Sequence, residues 1–214
     1  STACQKIHDQ NFFDKLDSRK DVINFKNGVV CLRTGKFTTR SKDDENYYSK
    51  CLDYDYDPNV DKKIKIEIKK DIKRICNDDD EILEFVLSFL AYCMTGETKE
   101  QKCLFLVGEL ASNGKSTLIN IFAKCFLCYC LKMENETFTM GYSKVHKQFA
   151  PTKGIRCVYI EEFSKKAVNN ELFKDTIDGR SKTNEVMFGT VENINILFKL
   201  IFLTNHTPNL GADE

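Results

Sequence analysis

The chain has 214 residues, with 32 Lys+Arg balancing 32 Asp+Glu for a formal net charge of zero. That balance excludes a general basic field, so any nucleic-acid contact must come from local patches. A 42% hydrophobic content with 16 Phe and 8 Tyr supplies enough buriable surface for a real core and excludes a disordered chain.

Residues 1–57 read as a small β-rich segment. Val22-Ile23-Asn24-Phe25, Val29-Val30-Cys31-Leu32 and Lys36-Phe37-Thr38 are short β-prone runs separated by Asn27-Gly28 and Thr34-Gly35, the punctuation of a meander. Pro58 biases the preceding residue away from helix and closes the segment. Residues 58–98 read as a helical linker between this segment and the C-terminal half of the chain. Ile64, Ile68, Ile72 and Ile75 recur at helical spacing among lysines, predicting an amphipathic helix with a solvated basic face. Asp78-Asp79-Asp80-Glu81 then places negative charge at the start of a second helix. Its residues Ile82 to Tyr92 are apolar almost all round, which predicts burial, and Gly96 is the expected stop.

Residues 99–214 alternate strand, glycine loop, helix, strand, helix, hairpin and strand, the pattern of an α/β domain on a largely parallel sheet. Lys102 to Val107 is a strand-length apolar run that delivers the chain to Gly108-Glu109-Leu110-Ala111-Ser112-Asn113-Gly114-Lys115-Ser116-Thr117, after which Leu118, Ile119, Ile121 and Phe122 start a helical stripe. A strand, a glycine-bounded loop ending in Gly-Lys-Ser and a helix make a phosphate-binding context. Backbone N–H groups of the loop and first helical turn face phosphate oxygens, and the helix dipole favours the anion. Gly108, Ser112, Asn113, Gly114, Lys115, Ser116 and Thr117 are the candidate nucleotide-binding residues, with Lys115 expected on the β/γ oxygens and Ser116 on Mg²⁺. One departure stands out: five residues separate Gly108 from Gly114 where the usual loop has four. Either the loop bulges or Gly108 is not the equivalent glycine.

Ile155 to Ile160 is a second strand-like run, ending in Glu161-Glu162. Beside a phosphate loop, two acids at the end of an apolar strand divide into a metal ligand, assigned to Glu161, and a group that orients or deprotonates water, assigned to Glu162. An exposed acidic turn is the plainer alternative. Leu197 to Leu203 forms a third strand ending in Thr204-Asn205-His206-Thr207-Pro208. Asn205 therefore lies along the crevice where open α/β sheets bind ligands, placed to contact the γ-phosphate or the lytic water, unless it merely forms an Asx turn before Pro208.

This ordered set resembles the A, B and C motifs of superfamily 3 helicases, with Lys174 to Arg180 and Val186 to Thr190 similar to that superfamily's additional motif. The piece around Phe25 to Phe37 is similar to the segment preceding the ATPase in the poxvirus-type primase–helicase NTPases of large DNA viruses, proteins that also occur in phages and plasmids. The resemblance covers about 21–57 and 102–210. It implies a P-loop, AAA+-like ATPase core that binds ATP and Mg²⁺ and hydrolyses ATP to translocate along and unwind DNA in replication. It also implies a homo-oligomeric, typically hexameric ring around single-stranded or forked DNA. The hairpin of the additional motif would reach the DNA, which nominates Arg180 and Lys182. The chain starts at Ser1 and stops at Glu214 directly after a strand-like run, as expected of a piece of a longer protein. The family's primase domain would precede it and its arginine finger would follow it, so the piece alone should hydrolyse nucleotide poorly. A packaging-type NTPase and a catalytically weak, nucleotide-dependent assembly module are the alternative readings.

Ten cysteines, roughly 5% of the chain, fall below the ~8–10% of a disulfide scaffold. Scattered and without a secretory leader, they read as reduced thiols of a cytoplasmic protein, or of a viral factory given the resemblance. Cys125, Cys128 and Cys130 are expected on the helix after the glycine loop, as buried thiols rather than a metal knuckle. No apolar run approaches the ~20 residues that cross a bilayer.

Overall fold

The computed structural model describes residues 16–40, 47–108, 114–139, 145–163, 165–180, 182–186 and 190–208. The chain separates into two compact units, Ser1–Tyr56 and Asp57–Glu214.

The first unit holds an antiparallel sheet in the order β1 (Val22–Phe25), β2 (Gly28–Cys31), β3 (Phe37–Thr39). Phe25 pairs with Gly28, so the turn residues are Lys26 and Asn27, one position earlier than the Asn-Gly dipeptide implied. Gly28 is instead needed for close packing: a Cβ there would lie 2.3 Å from the Thr38 carbonyl oxygen. Val22, Ile23, Phe25, Val30 and Leu52 are buried, and Phe25 meets the rings of Tyr54 and Tyr56 at 5.6 and 5.1 Å. Asn24 is buried and satisfied, donating to the Lys50 carbonyl at 2.9 Å and accepting from the Arg40 guanidinium at 2.7 Å. These paired polar groups tie the strand to the following loop without the cost of an orphaned amide.

The second unit opens with α1 (Lys62–Ile75) and α2 (Asp80–Met94). Asp61 caps α1 by accepting from Lys63 N, and Asp79 caps α2 by accepting from Glu81 N and Ile82 N at 2.8 and 3.1 Å, so the acidic run acts as the sequence predicts. Burial differs from expectation on both helices. No residue of α1 is fully buried, and Ile64 and Ile68 are about half exposed. On α2 the buried stripe is Leu83, Val86, Phe89, Leu90, Cys93 and Met94, while Ile82 and Phe85 face outward. The helix stops at Thr95, one residue before Gly96.

A parallel sheet is built from β4 (Leu104–Val107), β5 (Cys130–Lys132), β6 (Cys157–Ile160) and β9 (Lys199–Thr204), in the order β4-β9-β6-β5. All six residues of β9 are buried, as expected of a central strand covered on both faces. The helices α3 (Lys115–Cys125), α4 (Val145–Phe149) and α5 (Asn170–Ile177) punctuate it, and β7 (Lys182–Val186) and β8 (Thr190–Ile194) pair as a separate antiparallel hairpin. Phe202 is the hub of the core, with ring centroids 4.6 Å from Phe105, 4.7 Å from Phe163 and 5.9 Å from Phe138. Contacts of this kind add about 0.5–1.5 kcal/mol each beyond area burial.

The cysteines after the glycine loop are placed differently from the sequence reading. Only Cys125 lies on the helix; Cys128 is in a 3₁₀ turn and Cys130 begins β5. The helix yields at Phe126, whose φ of −120° is no longer helical. No cysteine among the described residues is in a disulfide, and no described helix is long and apolar enough to cross a membrane.

Candidate nucleotide-binding site

The carboxyl ends of β4, β9 and β6 lie side by side. Val107 pairs with Thr204 and Ile160 with Phe202, and the cross-links continue past the strands: Gly108 N donates to Thr204 O at 3.1 Å and Phe163 N to Leu203 O at 3.0 Å. The three motif-bearing segments thus open on one edge of the sheet, where ligands of parallel α/β sheets bind.

Ser112 and Asn113 lie outside the described residues. Gly114 takes a left-handed φ of +82° and is the N-cap of α3, with no side chain of its own to cap it. Helices leave their first N–H groups unpaired by the backbone, so an anion is a fitting cap here. The lining side is crowded as well: a Cβ at Gly114 would come within 2.8 Å of the Ile75 side chain, so both conformation and space require glycine.

Lys115 opens α3 and folds back across the loop. Its Nζ donates to the Gly108 carbonyl at 3.3 Å and to Asn205 Oδ1 at 3.1 Å. Both of these acceptors are neutral. Ser116 and Thr117 are on the same first turn, both exposed. Asn205 is held by its predecessor, not by an Asx turn: the buried Thr204 hydroxyl donates to His206 O at 2.9 Å and accepts from His206 N at 3.2 Å. This small hydroxyl-built turn presents Asn205 outward.

Glu161 accepts from Asn120 Nδ2 on α3 at 3.4 Å and forms an ion pair with Lys132 at the end of β5. The hydrogen bond to Glu161 pushes the Lys132 ammonium pKa upward. Glu162 is exposed and has a φ of +53°, an uncommon conformation for a non-glycine residue and one that recurs at functional positions. The turn divides the acids, one engaged and one open to solvent. Among the described residues no group of three or more His, Cys, Asp or Glu side chains surrounds a metal position. One carboxylate and one hydroxyl are hard oxygen donors of the kind that hold Mg²⁺ together with phosphate oxygens, so Glu161 and Ser116 fit that ion.

Arg180 folds back on the end of α5, 2.8 Å from Asp175 and 3.4 Å from Asp178, and its charge is largely compensated there. Lys182 begins β7; its side chain lies outside the described residues. Sequence reasoning missed Asn120 and Lys132. Each is a single polar residue within an otherwise ordinary run, and only the β4-β9-β6-β5 order brings them to Glu161.

Residues 2–89 match the family described as D5 N terminal like. "Putative helicase L207/L206" of Acanthamoeba polyphaga mimivirus is 28% identical over 217 residues, covering 97% of this chain and 22% of that protein. "Putative helicase 184R" of Invertebrate iridescent virus 6 is 26% identical over 211 residues, covering 94% of this chain and 21% of that protein. Two solved apo structures of the NrS-1 C terminal region share the fold, with TM-scores of 0.53 and 0.54 at 16% and 15% identity, each over 69% of this chain and 34% and 36% of those. The class is therefore an α/β domain on a central parallel sheet with helices before it. The chain is thus similar to D5-type proteins over residues 2–89 and to putative helicases of large DNA viruses over most of its length. It spans about a fifth of the length of the curated relatives it matches.

Proposed function

We propose that this chain carries most of the nucleotide site of an ATP-driven DNA helicase that works in replication as a homo-oligomeric ring. One observation carries the reading: α3 touches both partner motifs, through Lys115 to Asn205 and through Asn120 to Glu161. A triphosphate seated against the start of α3 would take Lys115 away from two neutral acceptors and give its ammonium phosphate oxygens instead. Asn205, released from Lys115, keeps an amide able to donate to the γ-phosphate or orient water. Ser116 and Glu161 would hold Mg²⁺, which supplies charge neutralisation on the phosphates. Glu162, open to solvent beside that carboxylate, is the group that takes a proton from attacking water. Arg180 and Lys182 remain the proposed DNA contacts, Arg180 only if DNA phosphates displace Asp175 and Asp178. The reduced cysteines fit work in the cytoplasm or a viral factory.

The test is nucleotide binding and DNA-stimulated hydrolysis by the protein at the length of its relatives. Lys115→Ala should weaken binding and abolish turnover. Glu162→Gln should retain binding and lower the rate by about 10²–10⁴-fold, the range for losing a general base. Turnover that survives both substitutions overturns the site.

A further inference from the structure

At the opposite end of the parallel sheet a row of side chains serves none of the motifs described above. Cys130, the first residue of β5, is registered opposite Cys157 on β6, and Cys157 opposite Lys199 on β9. Directly registered residues of parallel strands face the same side of a sheet, so thiol, thiol and ammonium stand in line across three strands. A third thiol reaches the row from α2. Cys93 is 0% exposed, and both it and Cys130 hydrogen-bond to Cys157, itself 0% exposed. Cys130 is only half-buried and is the one thiol of the three that solvent reaches. No two of them are joined.

We propose that Cys130 and Cys157 are a peroxide-sensitive pair whose reversible disulfide staples the edge strand β5 to the sheet. Neighbouring strands lie about 4.7–4.9 Å apart, inside the ~4.4–6.8 Å between α-carbons that a disulfide spans. The same spacing is wider than the ~3.5–4.5 Å preferred between β-carbons, so the bridge is strained and readily reduced, the property of a regulatory disulfide and not of a permanent one. The two thiols divide the reaction by their surroundings. The Cys130 sulfur, as thiolate, attacks one oxygen of hydrogen peroxide; the O–O bond breaks and the departing hydroxide takes up the proton that Cys130 released, giving water and a sulfenic acid. Burial and the hydrogen bonds from Cys130 and Cys93 push the Cys157 thiol up, which keeps it protonated as the resolving partner. Its sulfur then attacks the Cys130 sulfur, the S–O bond breaks, and the Cys157 proton leaves with the hydroxyl as a second water. Two thiols have lost two electrons and one peroxide has become two waters. The Lys199 ammonium, opposite Cys157 in register, favours the negative charge that develops on that sulfur. The staple matters because β5 is a three-residue strand at the edge of the sheet, registered on β6 alone, and short edges open locally.

The test titrates the fully reduced chain with hydrogen peroxide, alkylates the remaining thiols and maps the digest without reduction by mass spectrometry. A peptide pair joined through Cys130 and Cys157 should accumulate, disappear on adding excess reduced glutathione, and never form in Cys130→Ser. In that variant Cys157 should stay alkylatable at peroxide levels that bridge wild type, because its route to the oxidant runs through Cys130. Amide exchange over residues 129–133 should slow in the oxidised wild type and not in peroxide-treated Cys130→Ser. Circular dichroism checks that the variant folds; if it does not, the wild-type map and its exchange decide the matter alone. Wild type that keeps both thiols while the exposed Cys51 and Cys125 are oxidised overturns the proposal. So does a bridge from Cys130 or Cys157 to Cys93 or Cys128 in place of the registered pair, a bridge that forms only in urea, or a bridge that leaves exchange over β5 unchanged.

Discussion

Glu161 faces a competition that its neighbours set up. Its carboxylate carries the Lys132 ammonium and the Asn120 amide, and a divalent ion arriving with the proposed nucleotide would meet a positive charge already there. Exposed ion pairs are weak, typically below about 1 kcal/mol, so Lys132 could be displaced, but displacement is work the proposed metal would have to do. Lys132→Met should therefore lower the Mg²⁺ concentration at half-saturation of nucleotide binding, read from a magnesium titration with a fluorescent nucleotide. A midpoint that stays put or rises shows that Lys132 does not compete. The residue scale is also where the sequence was most and least legible. Lys115, Gly114, Glu161 and Asn205 announce themselves because glycine loops and strand-end acids are local patterns. Lys132 and Asn120 do not, because their meaning depends on a neighbour 29 and 41 residues away.

Among the elements, β9 is the one whose environment is least expected from its composition. It begins with a lysine, yet Lys199 is 3% exposed. The ammonium donates to the carbonyls of Thr95, Glu97 and Leu197 and lies 4.7 Å from the centre of the Tyr92 ring. It thereby satisfies carbonyls at the carboxyl end of α2, where a cation is also favoured by the helix dipole. Burial nevertheless lowers its pKa from 10.5 to about 8. Between those values the unfolded chain keeps the proton and the folded chain has lost it, so this group makes stability rise with pH by about 3 kcal/mol across the window. Below pH 8 both states are protonated and the contribution is flat. Cys157, raised by its hydrogen bonds to Cys130 and Cys93 and by burial, acts in the opposite direction above its unfolded pKa. The clean measurement is therefore a difference. Urea unfolding of wild type minus Lys199→Met should grow from pH 8 to 10, and a flat difference would refute the buried-cation account. A helix limit was legible where the cap was a strong signal, as in the acidic run at Asp79. None was legible after α3, where Phe126 offers no stop signal and the run of apolar residues continues through a 3₁₀ turn into β5.

At the scale of the whole chain, the β-rich first unit and the parallel-sheet second unit follow from composition and period, while the strand order does not. Along the chain β4, β5, β6 and β9 come in succession, but in the sheet β9 inserts between β4 and β6, a non-local pairing that periodicity cannot report. That insertion is what brings Asn205 to Lys115. It also concentrates the second unit's stability on one strand: Phe202 meets Phe105, Phe138, Phe163 and Phe173. Phe202→Ala should cost about 3–5 kcal/mol, the usual range for a buried phenylalanine. Hydrogen exchange in increasing denaturant, read peptide by peptide, should show the second unit yielding earlier while the first keeps its midpoint. A loss under about 1 kcal/mol would mean the ring cluster collapses around the gap.

The same strand has a geometrical consequence. Lys199 grips the foot of α2 and Asn205, six residues on, touches Lys115. A β-strand advances about 3.3 Å per residue and scarcely stretches, so those two grips are held roughly 20 Å apart by a covalent gauge. Whatever the surrounding loops do, the spacing between the helical pair and the charge at the sheet edge is written into the length of β9.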